Sequence, residues 1–259
     1  MIIKRDFMYT PKGVYRKLHI WLPEGWETAG ERYPVMYFFD GHNLFSDADA
    51  TYGKSWGLAD FLKGWGKKMI VVGIECGHDG DERLSEYLPY AANKSSWFGK
   101  YEPMGMETLR WIVEEIKPVV DRDYPTIPFR ECTAIGGSSM GGIMALAAAV
   151  HFNRWFSKAA CVSTAMGFCQ RPLLADLRGA HISPDTRVFL SWGTNEAHGI
   201  KDPNREDRSS KTYGWNKRAA EMLRDRGADA RLYCQVGGYH CEASWEQQVP
   251  LFMNYLWTE

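Results

Sequence analysis

Apolar and polar positions along the chain change period several times, and each change marks an element. Over residues 14–22 the alternation is loose and stops at Pro23, the pattern of an antiparallel edge strand, and residues 25–32 read as a hairpin connection. Residues 34–39 behave differently. They form a short, continuously apolar run closed by Asp40-Gly41, which suits a strand buried on both faces of a parallel sheet. Residues 69–74, 132–135, 187–192 and 230–236 are further strands of this sheet. Between these runs the spacing predicts helices over residues 56–65, 105–121, 140–152, 210–226 and 245–257.

Strands separated by helices imply right-handed crossovers. The result is an α/β fold with a mostly parallel central sheet and helices on both faces, in which ligands bind beyond the carboxyl ends of the strands. The longest irregular stretches are residues 79–103 and the charge-rich residues 196–209. No internal repeat, low-complexity tract or linker-like shift interrupts the pattern, so residues 1–259 read as one domain.

Composition narrows the function. The chain is 45% apolar and 24% charged, as a soluble globular protein is, with 31 basic against 32 acidic residues. That balance leaves no bulk field to hold a nucleic-acid backbone or an anionic membrane. Lys4, Arg5, Asp6 and Lys12 break up the N-terminus where a signal peptide would be apolar, so a cytoplasmic location is expected. No apolar run is long enough to span a membrane. The six cysteines form no CxxC pair and read as reduced, mostly buried thiols. Neither a metal nor a cofactor is expected. Eleven tryptophans exceed the usual need of a core, so some are expected to line a groove.

Candidate chemistry begins after the strand at residues 132–135. Gly136-Gly137-Ser138-Ser139-Met140-Gly141-Gly142 leads directly into a helical run, making a strand, a sharp turn and a helix. A serine at the tip of such a turn needs tiny residues two before and two after it, because the strand and helix backbones nearly touch. Gly137 and Gly141 meet that demand for Ser139, whereas the frame of Ser138 would put Met140 where a small residue is required. A phosphate cradle is the competing reading of this turn, but the P-loop lysine and the GxGxxG spacing are missing.

A serine hydroxyl needs a base to take its proton. Of seven histidines, His240 follows the last strand through Gly237-Gly238-Tyr239 and precedes a helix, the address the base has in this kind of fold. His19, His151 and His181 lie elsewhere. The orienting carboxylate should lie between serine and histidine in the chain and follow a strand. Glu196, closing Gly193-Thr194-Asn195-Glu196, fits, with Asp202 as the reserve. The oxyanion hole takes the backbone N–H of Met140 and a second N–H from the turn at Asp40-Gly41-His42-Asn43, assigned to His42.

These residues resemble the esterase branch of the α/β-hydrolases that contains esterase D-like enzymes, enterochelin esterases, feruloyl and acetylxylan esterases and the mycolyltransferases. Residues 33–41 are similar to the third strand and oxyanion turn of that family. Arg83-Leu84-Ser85-Glu86-Tyr87-Leu88-Pro89 resembles its Arg-x-x-Glu-Tyr-x-Pro stretch, residues 135–142 its nucleophile elbow, and Gly238-Tyr239-His240 with Trp245 its histidine loop. The resemblance implies a Ser139, Glu196, His240 triad with the His42 and Met140 N–H groups as the oxyanion hole. Family members commonly carry Asp at the Glu196 position, so the glutamate is a departure. Arg83 and Glu86 are expected to brace the loop beside the site.

The expected activity is serine carboxylesterase chemistry on a small-molecule ester, through an acyl-enzyme and without metal. Aromatic residues at Trp56, Trp97, Phe98, Tyr101, Trp192, Tyr213 and Trp215 suit a carbohydrate or phenolic ester. An acyltransferase, an inactive binding protein on a hydrolase scaffold and a peptidase are the alternatives. Homo-oligomerisation is left open.

Overall fold

Eight strands form one sheet in the order β1-β2-β4-β3-β5-β6-β7-β8. This arrangement comes from a computed structural model that describes residues 1–92 and 97–258, leaving out the side chains of Trp97 and Phe98. The strands are β1 (Ile2–Tyr9), β2 (Val14–Trp21), β3 (Val35–Phe39), β4 (Ile70–Ile74), β5 (Thr133–Ser138), β6 (Lys158–Val162), β7 (Arg187–Gly193) and β8 (Asp229–Gln235). From β4 to β8 every neighbouring pair runs parallel, while β2 is antiparallel to both β1 and β4. The helices are α1 (Leu58–Gly64), α2 (Glu82–Glu86), α3 (Gly105–Trp111), α4 (Lys117–Asp123), α5 (Met140–His151), α6 (Gln170–Gly179), α7 (Lys211–Asp225), α8 (Glu242–Glu246) and α9 (Val249–Trp257).

Period-two geometry explains why the central strands are apolar throughout. In β3, Val35, Tyr37 and Phe39 enter one core cluster while Met36 and Phe38 enter the other. The first cluster is closed by α3 to α7 and the second by α1 and α9. Full burial of one such side chain stabilises the fold by about 1.5–3 kcal/mol, so an apolar residue is favoured at every position of β3.

Several expectations need correction. Residues 14–22 do not form an edge strand, because β1 covers β2 on its outer side. Residues 25–32 are not a hairpin connection, since the β2 and β3 they join are separated in the sheet by β4. β1 is half-exposed and carries Lys4 and Asp6 on its outer face, which hid it, and β6 is built largely of small residues without the β-branched and aromatic side chains of β3 and β4. The helix expected over residues 245–257 is two helices, broken before Pro250, whose ring cannot continue an interior hydrogen-bond ladder. The helix expected at 105–121 runs on to Asp123 and contains a π-helical turn at Ile112–Ile116, just before Pro118 removes a backbone donor. Residues 79–103 hold α2 and a 3-10 turn at Trp97–Lys100. Among the described residues no helix is long and apolar enough to cross a membrane.

Candidate active site

Three non-glycine residues with φ near +50° sit at the carboxyl ends of three strands: Asp40 after β3 (φ 57°), Ser139 after β5 (φ 57°) and Ser163 after β6 (φ 45°). Left-handed backbone at non-glycine residues is costly and persists where surrounding contacts enforce it. At Ser139 those contacts are specific. Its N–H donates to the Val162 carbonyl at 3.0 Å, and its own carbonyl accepts from Ala165 at 3.0 Å and Ile143 at 3.1 Å. A Cβ on Gly137 would lie 2.7 Å from the Gly141 backbone, and one on Gly141 would lie 2.9 Å from Phe39 Cβ, so only glycine fits at either place. β5 runs through Ser138, which is buried, and releases Ser139 half-exposed at the turn.

Glu196 and His240 are brought together: His240 Nδ1 and Glu196 Oε2 form a short hydrogen bond. The other carboxylate oxygen, Oε1, accepts from the Gly193 N–H and from the Ser163 hydroxyl, each at 2.6 Å. Ser163 Oγ in turn accepts from the Trp245 indole N–H at 2.8 Å, and the Trp245 ring meets the His240 ring edge-on at 5.2 Å between centroids. A carboxylate only accepts, so Nδ1 carries the proton and Nε2 is left as the acceptor. The loops bearing Glu196 and His240 are themselves joined. Asn195 N–H donates to Gly238 O at 2.9 Å, Asn195 Nδ2 to Gly237 O at 2.9 Å, and Gly237 N–H to Thr194 Oγ1 at 2.8 Å. Asp202 is not brought to His240; it bonds Asn204 and Arg205 within its own loop.

On the opposite wall, Arg83 clamps Asp40 through Nε–Oδ1 at 2.7 Å and Nη2–Oδ2 at 2.8 Å. Burial opposes ionisation of Asp40, but the Arg83 charge and hydrogen bonds outweigh it and hold the carboxyl below its usual range. Asp40 starts a 3-10 turn at Gly41–Asn43, and a Cβ on Gly41 would meet Gly73 at 2.3 Å, so this turn lies directly on β4. Burial lowers the His42 imidazole below its usual value, against the pull of the Asp40 carboxylate. The Met140 N–H belongs to the first turn of α5, where backbone donors have no intrahelical partner. Glu86 accepts from the Gly77 N–H at 2.9 Å and pairs with Arg16, bracing the loop after β4.

Ser139 and His240 lie on the walls of two adjoining cavities. One, of about 380 Å³, is lined by Met166, Phe168, Trp192 and Trp215. The other, of about 550 Å³, is polar and includes Asp40, His42, Thr51, Arg83 and Glu242. A larger cavity of about 920 Å³ lies between Trp21, Trp26 and Trp65 and has none of these site residues on its wall.

Comparison with known proteins decides the family. A family model described as Putative esterase matches residues 13–254. The chain belongs to that esterase family. Its sheet is that of an α/β-hydrolase, and the protein is a carboxylic ester hydrolase. The Bacillus subtilis protein YbbA is 23% identical over 223 residues, covering 82% of this chain and 85% of YbbA. An IroE-like serine hydrolase from Shewanella oneidensis is similar in fold, with a TM-score of 0.73 at 20% identity over 98% of this chain and 81% of that one. A ferulic acid esterase gives 0.69 at 16% identity, covering 99% and 97%.

In this esterase the aromatic expectation divides. Trp192 and Trp215 reach the apolar cavity, with Tyr213 packed edge-on against Trp192. Trp56 is instead core, against Phe38, Trp245 and Phe252. Tyr101 donates to Asp81 and lines neither cavity, and the side chains of Trp97 and Phe98 lie outside the described residues. Ser163 was missed because β6 was missed; once that strand is seen, Ser163 is the residue leaving its carboxyl end, as Ser139 is for β5.

Proposed function

We propose that the esterase is a serine carboxylesterase that works through an acyl-enzyme. Ser139 Oγ attacks the ester carbonyl while His240 Nε2 takes its proton. The tetrahedral intermediate places its oxyanion on the Met140 and His42 N–H groups. Collapse breaks the ester C–O bond, and the imidazolium returns the proton to the leaving alcohol. Water then adds to the acyl-enzyme with the same base, and breaking the acyl–Oγ bond releases the acid and restores Ser139. Glu196 holds the Nδ1–H tautomer and stabilises the imidazolium without itself becoming protonated.

The observation that carries this reading is the Glu196–His240 hydrogen bond beside a serine held at a left-handed strand-to-helix turn. The same contact, a carboxylate seated on the imidazole, speaks against an inactive binding scaffold. The Trp192 and Trp215 wall supports an ester with a flat aromatic or sugar-ring portion, and the cavity volumes suit a small molecule. The test is hydrolysis of a short 4-nitrophenyl ester by the wild type, Ser139→Ala and Ser138→Ala. Loss in Ser139→Ala alone is the expected result; equal activity in all three would remove Ser139 as the nucleophile. Sugar acceptors added to the assay separate hydrolysis from transfer by product.

A further inference from the structure

A second group of chemistry-bearing side chains lies beside the cleft; of its members the mechanism above uses only the backbone N–H of His42 and none of the side chains. It is built from His19 in β2, His42 after β3, and Glu75 and His78 after β4. His42, Glu75 and His78 each offer one ligand atom, and these three atoms lie within 4.8 Å of one another. Glu75 divides its oxygens: Oε1 meets His19 Nε2 at 2.5 Å and Oε2 meets His78 Nε2 at 3.3 Å. The rings of His42 and His78 meet edge-on at 4.7 Å between centroids. His42 is only 7% exposed; its Nε2 bonds Thr51 Oγ1 at 2.9 Å, and its Nδ1 is buried with no hydrogen-bond partner among the described residues.

An ordinary polar network would satisfy that buried nitrogen, as native interiors nearly always do. We propose that His42, Glu75 and His78 form a binding site for a divalent transition-metal ion of the zinc type. Two imidazoles and one carboxylate are the donors zinc takes at a three-ligand site, and imidazole disfavours calcium and magnesium. Glu75 Oε2 and His78 Nε2 already stand 3.3 Å apart, close to the spacing of neighbouring ligands in a tetrahedral set, and the exposed His78 side chain can adjust to close the site. His19, nearly fully buried and bonded to Glu75, orients the carboxylate as outer partners of metal ligands do. Because His42 and His78 also line the polar cavity, a remaining coordination position would open towards the cleft that Ser139 and His240 share. The ion has no role in the acyl-transfer steps, so this inference does not depend on the proposed function.

The experiment uses the full chain, stripped with a chelator and titrated with zinc against a chromogenic competitor, with cobalt as a spectroscopic substitute. One zinc per chain is expected, together with visible cobalt bands of low-symmetry nitrogen and oxygen coordination. His78→Ala and Glu75→Gln should each weaken zinc by at least about tenfold, and His19→Gln by a similar or smaller factor. His78 is on the surface, so its variant keeps the fold, which circular dichroism verifies. No stoichiometric uptake, or uptake unchanged in both His78→Ala and Glu75→Gln, overturns the proposal. Fluorophosphonate labelling of Ser139 in the stripped protein is scored separately, so failure of the metal site and failure of the esterase chemistry are told apart.

Discussion

Trp245 donates its indole N–H to the Ser163 hydroxyl at 2.8 Å, and the hydroxyl passes its own proton towards Glu196 at 2.6 Å. A tryptophan in α8 thus holds Glu196 in place through a serine that follows β6. Hydrogen bonds to a charged group contribute about 1.5–3 kcal/mol, so Ser163→Ala should lower kcat/KM by roughly tenfold or more. Trp245→Phe keeps most of the packing and should show a smaller loss. The measurement is the kcat and KM of both variants on one 4-nitrophenyl ester; an unchanged kcat in Ser163→Ala would remove this relay from the account.

Asp40 and Arg83 make stability depend on pH in a defined direction. The folded Asp40 carboxyl ionises below its usual range, so its pairing stabilises the fold above the unfolded carboxylate value. That contribution disappears as pH falls through the lowered folded value. Asn tolerates the left-handed backbone at this position, so Asp40→Asn isolates the charge. At neutral pH it should cost about 2–4 kcal/mol, because Arg83 loses its counter-ion. Thermal midpoints of the two proteins should converge on acidification; a gap that stays constant down to pH about 2 would contradict the pairing.

Gly41→Ala should damage both fold and activity. The added methyl carbon would stand 2.3 Å from the Gly73 carbonyl carbon, so one backbone has to move. Overpacking of this kind costs about 1–3 kcal/mol and would shift the turn that carries the His42 N–H. Gly64→Ala is the control, since nothing lies within 4 Å of its new Cβ, and its midpoint should stay level or rise slightly.

Trp215→Ala should change substrate choice more than turnover. An aromatic contact adds about 0.5–1.5 kcal/mol beyond area burial, so KM for a phenolic acyl ester should rise roughly threefold to tenfold. An acetate ester should be little affected. Equal effects on both substrates would move the aromatic portion of the substrate away from this wall.

Chelator treatment should leave ester hydrolysis intact, because every proton and bond change is assigned to Ser139, His240, Glu196 and backbone donors. Initial rates before and after dialysis against a chelator check this, and loss of activity restored by added metal would contradict the mechanism.

The buried central strands, the strand-turn-helix around Ser139 and the places of Glu196 and His240 beyond β7 and β8 were legible because each carries a local signal: an apolar run, paired glycines, or a position just past a strand. Long-range partners were not. β1 hides because its outer face is solvated, and β6 because Lys158, Ala159, Ala160 and Cys161 lack the branched and aromatic side chains that mark the equally short β3 and β4. Trp56 and Trp192 look equivalent in sequence and both are buried, yet one packs among Phe38, Trp245 and Phe252 while the other forms part of the wall of the apolar cavity, a difference made by tertiary packing. The His42, Glu75, His78 group was invisible for the same reason. Its only local trace is the Glu75-Cys76-Gly77-His78 spacing, and the third member arrives from the neighbouring strand end.

The stitching of residues 194–195 to residues 237–238 has a mechanical consequence. Gly193 has no room for even a methyl group against Gly238, where an added Cβ would meet the carbonyl oxygen at 2.3 Å. Glu196 and His240 therefore sit on two loops locked to each other by hydrogen bonds and close backbone packing, which holds their side chains in register. With the Asp40 turn likewise seated on β4 and clamped by Arg83, both walls are built in advance, and fitting a bulky ester falls to the side chains of the apolar cavity rather than to the backbone that holds Glu196 and His240.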